Sequence, residues 1–440
     1  MNNALNDKPN KIIKLVSLIS FFSLILSSYS CFNEEPPITP GIKETTVFIA
    51  SDLHLFSNNL ISPDNKIYVK ENFTSDGRIQ EYDYELVNEL IEEVNLEKPD
   101  YLILTGDLSF NGEKDSHLEL ANLLNKIETT KTLVIPGNHD LFSANCVSVL
   151  GDKSQKTKSL GWNEFREIYS SYGYKDAYSY DDNSLSYIYK LSEDKWAIML
   201  DTTQSKYNEV YGYNIVGGYV EEPTMTWLEN NLKYAKENNI SVISFTHHNL
   251  LVHNELFKSR YTITNYEEVL ALYSRYNVNL NFSGHLHIQS IKNTRVNGLN
   301  IYDISSNSLL DYGNRYGKLD IYDNCYSYES KMLTYEEELK DLQNYSFNVF
   351  CDKYYQKTLK QYQSTLGEEN GKLATKLLSE INSYYFDGSY EIIHSLINDN
   401  KQIYNLIKQN TSNYDKSYVK SIMDVPNKNQ HDLIVKRVTN

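Results

Sequence analysis

Five short stretches concentrate side chains that can ligate metals or move protons. They are Asp52-Leu53-His54, Gly106-Asp107, Gly137-Asn138-His139-Asp140, His247-His248 and Gly284-His285-Leu286-His287, and most of the ten histidines of the chain lie in them. An Asp-x-His or a Gly-Asp turn means little alone, but the joint pattern has the chemistry of a two-metal site. Divalent ions held about 3.5 to 4 Å apart share an anionic oxygen bridge and complete their shells with hard or borderline ligands. A carboxylate can bridge and an imidazole nitrogen cannot, so Asp107, at a tight turn behind a buried strand, is the natural bridge. Asp52 and His54 stand two apart on an expected extended segment, so both can face one ion. His285 and His287 share that spacing, with Gly284 letting the backbone turn closely. Asn138 points to a mixed nitrogen and oxygen shell, which suits two divalent ions drawn from Mn, Fe, Zn or Co over a thiolate zinc site. The bland alternative, in which the carboxylates cap turns and the histidines fill a core, does not account for five such motifs at strand ends.

The elements that must carry these residues can be read from periodicity. Thr45–Ala50, Tyr101–Leu104 and Thr132–Ile135 read as strands, separated by helices whose apolar faces hold Leu86, Leu90, Ile91 and Val94, then Leu118, Leu120, Leu123, Leu124 and Ile127. Further strands are expected at Ser186–Leu191, Trp196–Leu200, Ile240–Phe245, Val278–Phe282, Leu299–Ile304 and Lys318–Tyr322. The result is a β-rich α/β unit with its reactive residues just beyond the carboxyl ends of strands, where such sheets gather ligands. From about residue 335 the pattern becomes helical only, with stripes at Phe347, Phe350, Tyr354 and Tyr355 and at Leu373, Leu377, Leu378, Ile381 and Tyr384. Aromatics at that spacing are expected to pack a core, and the final dozen polar residues are expected to fray.

Composition limits the partners. Asp and Glu outnumber Lys and Arg by 58 to 42, for a formal net charge of −16, so an extended nucleic-acid groove is excluded and an anionic substrate must be met by bound cations. The chain also holds 38 Tyr against 18 Gly and 9 Pro. At the amino terminus, Lys8, Lys11 and Lys14 precede an apolar run from Leu15 to Leu26, too short to span a bilayer, and then a small polar stretch ending at Cys31. Residues 1–31 therefore read as an export signal resembling a lipoprotein signal with Cys31 lipidated, an ordinary cleaved signal being the alternative, and residues 32–44 as a tether. The expected location is outside the cytoplasm, facing the periplasm or the cell exterior, with membrane contact through the lipid only. Cys146, Cys325 and Cys351 show no metal-knuckle spacing and are expected to be free thiols.

The motif order D-x-H, G-D, G-N-H-D, H, G-H-x-H resembles the calcineurin-like metallophosphoesterase superfamily over roughly residues 45 to 323. The resemblance implies a four-layer α/β/β/α sandwich over residues 45–334, followed here by an all-helical C-terminal domain over 335–440. It implies that Asp52, His54, Asp107 and His287 hold one metal, that Asp107, Asn138, His247 and His285 hold the second, and that His139 is the acid contacting the substrate. It also implies attack on phosphorus by hydroxide generated at the metal pair. Asp140 either orients His139 or caps the segment after it. The stretch Gly112–His117, the segment His247–Leu250, Ser283, the lipoprotein-like start and the helical tail look like those of bacterial extracytoplasmic cyclic nucleotide phosphodiesterases. The implied substrate is thus a small phosphodiester, 3′,5′-cyclic nucleotides first, with His117, His248 and Asn249 as expected substrate contacts. A phosphomonoesterase, nucleotidase or glycerophosphodiesterase on the same fold is the alternative, as is a surface lipoprotein that binds a partner beside a vestigial site.

Overall fold

A computed structural model describes residues 37–62, 77–150 and 154–438. The expected signal, Cys31 and residues 32–36 of the expected tether lie outside the described residues, and the tether's last two residues, Lys43 and Glu44, are instead the start of a strand. The described residues from 40 onward form one compact unit, and among the described residues no helix is long and apolar enough to cross a membrane.

The strands are β1 (Lys43–Ala50), β2 (Tyr101–Leu104), β3 (Lys131–Val134), the two-residue pair β4 (Val147–Ser148) and β5 (Gln155–Lys156), β6 (Ser179–Tyr180), β7 (Tyr187–Ser192), β8 (Lys195–Leu200), β9 (Ser241–Thr246), β10 (Leu280–Ser283), β11 (Ser290–Val296), β12 (Leu299–Ser305), β13 (Arg315–Tyr322), β14 (Cys325–Met332) and β15 (Asp432–Lys436). One sheet runs β15-β14-β13-β1-β2-β3 and a second β11-β12-β10-β9-β8-β7-β6. β1, β2 and β3 are parallel, as are β8, β9, β10 and β12. The parallel strands therefore all end on one side, and the chemistry-bearing loops leave from those ends.

Layering follows from the two-residue period of strands. In β8, Ala197 and Met199 join the core shared by the two sheets, whereas Trp196, Ile198 and Leu200 face the core under the helices Glu222–Glu237 and Tyr266–Arg275. Helices Asp83–Glu97 and Lys114–Leu124 cover the first sheet through Leu86, Leu90, Ile91, Val94, Leu120, Leu123 and Leu124. The order is helix, sheet, sheet, helix. Phe282 of β10 meets Tyr328 of β14 across the sheet interface, ring centroids 5.6 Å apart. Leu118, expected on a buried face, is 41% exposed, because it sits one position off the helix stripe that meets the sheet.

Between residues 342 and 423 the chain is helical, with Leu342–Leu366, Glu368–Asp387, Tyr390–Asp399, Lys401–Asn410 and Tyr418–Met423, so the expected C-terminal helical domain is not helical throughout. Their own core contains Leu377, Leu378, Ile381, Tyr385, Ile393 and Ile422, and it incorporates Leu286 and Ile288 from the G-H-x-H loop. Leu373 is 53% exposed and takes no part in it. The polar end does not fray. Asp432–Lys436 is strand β15, paired antiparallel with β14, and Val435 reaches the main core while Arg437 bonds Glu44 and Asp194. A five-residue strand with one buried apolar residue has too little pattern to show in sequence; the β14 edge it covers decides its conformation. Cys146, Cys325 and Cys351 are free thiols.

Candidate metal centre

The five motifs converge at the carboxyl ends of β1, β2, β3, β9 and β10. Asp52, His54 and His287 form one group of possible ligands and Asp107, His247 and His285 a second, the ligand atoms of each lying within 4.8 Å of one another. In the first, His287 Nε2 is 3.2 Å from Asp52 Oδ1 and 3.3 Å from His54 Nε2. In the second, His247 Nε2 is 3.4 Å from Asp107 Oδ2 and 3.1 Å from Asn138 Oδ1. The same Asp107 Oδ2 stands 3.8 Å from His54 Nε2, so this one oxygen faces both groups.

The extended geometry expected at D-x-H and H-x-H is not what positions these side chains. Asp52 (φ 55°), His54 (φ 42°), Asp107 (φ 49°), His285 (φ 65°) and His287 (φ 60°) all have left-handed backbone. Such conformations cost energy outside glycine and persist only where their surroundings hold them. Here Asp52 N–H donates to Gly106 O and His54 N–H to Asp107 O, at 3.0 and 2.9 Å. The Asp52 carbonyl accepts from Ser308 Oγ and the His54 carbonyl from Gln80 Nε2, at 2.9 and 2.7 Å. Asp52 and His54 still face the same ligand group, through kinked turns rather than pleated strand, whereas the H-x-H turn divides His287 and His285 between the two groups. Gly284 works as expected: a Cβ there would sit 1.8 Å from Ser51 Oγ and 2.6 Å from Asp52 Oδ2.

The nitrogens turned away from the centre are anchored. His247 Nδ1 donates to Thr105 O (2.9 Å), His285 Nε2 to Arg260 O (3.0 Å) and His287 Nδ1 to Asp311 Oδ2 (2.8 Å). Such partners fix the tautomer and ring orientation of metal-binding histidines. The donor set suits a divalent cation. Asp52 Oδ1 is a buried carboxylate oxygen with no hydrogen-bond donor, and two imidazole nitrogens 3.3 Å apart need a proton or a cation between their lone pairs.

Charge follows this arrangement. Burial, then the neighbouring Arg78 guanidinium, holds His54 well below the usual imidazole range. Burial also lowers His285 well below it, helped by His248 and His247. Burial opposes charge on His247 and His287 too, but Asp107 raises His247 to about 9, and Asp52 and Asp311 raise His287 well above its ordinary value.

His139 lies beside the centre, its backbone N–H donating to Asp107 Oδ1 at 2.9 Å. Its Nδ1 is 2.9 Å from Phe110 O and 3.0 Å from Asn111 Oδ1. Asp140 does not orient it. Asp140 accepts from the backbone of Leu108, Ser109 and Gly137 and from Ser109 Oγ, tying the second and third motifs together.

The three expected substrate contacts stand elsewhere. His117 is buried between Tyr169 OH (2.9 Å) and Asp140 O (3.0 Å). His248 is held by Thr202 Oγ1 and Val216 O, and burial lowers its pKa to about 3. Asn249 donates to Ser283 Oγ and Gly284 O behind the G-H-x-H turn. None of them lines the cavity of about 240 Å³ over the centre, which His54, Asp107, Asn138, His139, His285 and His287 do. Sequence reasoning missed Arg78, Asp311, Val216, Phe257, Tyr261 and Phe386, which also line it; they belong to no motif, and only the folded chain brings them there.

A family model for calcineurin-like phosphoesterases matches residues 45–289. A 3′,5′-cyclic-nucleotide phosphodiesterase of Nostoc sp. is 28% identical over 189 residues, 43% of this chain and 56% of that protein. The chain thus spans about half the length of the curated relative it matches. Among solved structures, a dimetal phosphatase from Danio rerio is 11% identical with a TM-score of 0.47, over 67% of this chain and 98% of the other. The protein TT1561 of Thermus thermophilus is 12% identical with a TM-score of 0.36, over 66% and 99%.

Proposed function

Since the chain belongs to the calcineurin-like phosphoesterase family, we propose that it is a dinuclear-metal-dependent hydrolase of small phosphodiesters, 3′,5′-cyclic nucleotides foremost. The carrying observation is that two ligand groups, Asp52/His54/His287 and Asp107/His247/His285, share the Asp107 carboxylate at one small cavity. Asp52, His54, Asp107 and His287 would hold one ion; Asp107, Asn138, His247 and His285 would hold the other. Mn, Fe, Zn and Co all fit this nitrogen and oxygen set. Bound there, such ions supply Lewis-acid stabilisation of phosphoryl charge and lower the pKa of the attacking water.

The chain's own groups do the rest. Phe110 O and Asn111 Oδ1 can only accept, so His139 Nδ1 carries a proton toward them and Nε2 is the ring nitrogen left for the substrate. To act as the acid the ring must carry a second proton on Nε2; that proton passes to the leaving alkoxide, and the neutral ring keeps its Nδ1 proton against Phe110 O and Asn111 Oδ1. Arg78, in the cavity wall, adds positive charge for the phosphate. The name of the Nostoc relative supports cyclic nucleotides as the substrate class. Export through residues 1–31 with lipid on Cys31 is part of the same reading, and mass spectrometry of the amino-terminal peptide from membranes tests it.

The deciding assay compares bis-(p-nitrophenyl) phosphate, p-nitrophenyl phosphate and adenosine 3′,5′-cyclic phosphate on metal-reconstituted protein. Turnover of the diesters with little of the monoester is expected. Monoester preference would assign a phosphomonoesterase, and no turnover of any of the three would leave a partner-binding protein with a vestigial site.

A further inference from the structure

Phosphoryl transfer accounts for the polar half of the cavity, but not for its aromatic half. Phe257, Tyr261 and Phe386 line the same space as the candidate ligands, and each is only half-buried. They come from distant parts of the chain. Phe257 immediately precedes and Tyr261 ends the one-turn helix Lys258–Tyr261, whereas Phe386 is the penultimate residue of the helix Glu368–Asp387. The Tyr261 ring lies 4.7 Å from the His285 ring and its edge meets Phe257 at 5.5 Å, so the aromatic surface begins at the metal centre.

Phe386 is fixed in place. Its ring packs on Phe350 at 4.9 Å, and its carbonyl accepts from Gln289 N (2.9 Å) and Asn307 Nδ2 (3.4 Å). Asn307 Nδ2 also donates to His287 O at 2.9 Å, so one amide joins the helical tail to a candidate ligand. Gly388, at φ +82°, lets the chain pass close by; a Cβ there would meet Gln289 O at 2.7 Å.

We propose that Phe257, Tyr261 and Phe386 form the subsite for the base of a nucleotide, which makes the helical tail a contributor to substrate specificity. The inference rests on the phosphodiesterase reading. Flat, half-buried rings lining the cavity beside a phosphate site suit a nucleobase, whose stacking on aromatic side chains is sequence-tolerant and energetically substantial. A cavity of about 240 Å³ admits one small ligand and no polymer.

The test is calorimetric binding to the full chain loaded with Mn²⁺. Adenosine 5′-monophosphate is compared with ribose 5-phosphate, which lacks the base, for the native protein, Phe386→Leu and Tyr261→Leu. The native protein is expected to prefer the nucleotide by about tenfold or more, and each variant to lose most of that preference while holding ribose 5-phosphate unchanged. Leu at 386 keeps an apolar contact with Phe350, and Tyr261 lies outside the tail, so a folding defect in one variant leaves the other decisive. The subsite is overturned if the native protein shows no base preference, if the preference survives both substitutions, or if decyl phosphate binds as tightly as the nucleotide. Diester turnover, measured separately with bis-(p-nitrophenyl) phosphate, distinguishes the two readings. Turnover without base preference sinks the subsite alone, and base preference without turnover sinks the reaction alone.

Discussion

At the level of single residues, the proposed chemistry turns on two protons and one acid. His247 is raised to about 9 by Asp107, and His287 well above its ordinary value by Asp52 and Asp311, so near neutral pH both rings hold protons on the nitrogens that a metal needs. Metal entry must therefore expel them. Lower pH fills these sites further with protons and weakens loading; affinity should climb with pH until His247 is deprotonated at about 9. Calorimetry of metal binding at pH 7 in two buffers of different protonation enthalpy should report net proton release, and equal heats in both would rule the coupling out. Asp311→Asn, which weakens the acceptor on His287 Nδ1, should lower metal affinity about 10- to 100-fold, read by competition with a chromogenic chelator. His139 bonds Asp107 through its backbone and its ring meets the His54 ring edge-on at 5.0 Å, but its side chain hydrogen-bonds no candidate ligand. His139→Gln should keep full metal content while losing about 10²- to 10⁴-fold in turnover of diesters with alkyl leaving groups. The loss should be far smaller for p-nitrophenolate, which departs without a proton. Equal losses on both substrates would remove the acid role.

Elements show what could be read from the sequence and what could not. Wherever strands are buried on both faces, as in β1, β2 and β8, their aliphatic runs marked them to within a residue or two. The half-polar β11, β14 and β15 carry no such signal and owe their conformation to the strands beside them. The ligand motifs were legible because metal chemistry restricts residue type. Arg78, Asp311 and Phe386 were not, since a cavity wall demands only proximity. The tyrosine excess was legible as packing and proves more specific than that. Buried Tyr187 and Tyr316 and half-buried Tyr101 each place a ring in or against the main core while the hydroxyl bonds Val134 O, Glu93 Oε1 and Leu191 O respectively. The left-handed turns after the strands were misread as extension, and they generate a prediction of their own. A methyl at Gly284 would collide with Ser51 Oγ and Asp52 Oδ2, so Gly284→Ala must either move Asp52 or open the β10 end. It should cost about 1–3 kcal/mol and abolish binding at the Asp52/His54/His287 group, visible together as a lowered denaturation midpoint and halved metal content. Native metal content in a stable Gly284→Ala protein would show that the turn is not tight.

For the whole molecule, the central question is whether the helical tail is an appendage or a structural part of the catalytic unit. Three kinds of contact favour integration. Leu286 and Ile288 of the G-H-x-H loop are buried in the tail's core. Strand β15 returns from the tail to close the edge of the first sheet at β14. Between them, Arg315 of β13 forms a buried two-pronged ion pair with Asp387, at 2.6 and 3.3 Å, directly after cavity-lining Phe386. Asp387 also receives Ser389 Oγ, and a Cβ on Gly313 would fall 2.5 Å from Asp387 Oδ1, so the carboxylate is enclosed on several sides. Removing one member of such a pair leaves the other charge buried without compensation, which typically costs about 3–5 kcal/mol, whereas replacing both with apolar groups can be nearly neutral. Asp387→Ala should therefore destabilise the entire chain in a single cooperative transition, with loss of helix and loss of diester turnover falling at the same denaturant concentration. The double replacement of Arg315 and Asp387 by Met and Leu should recover most of that stability. If the tail melts first in Asp387→Ala while metal binding and turnover persist, the two parts are independent, and the wall that Phe386 contributes can be dispensed with.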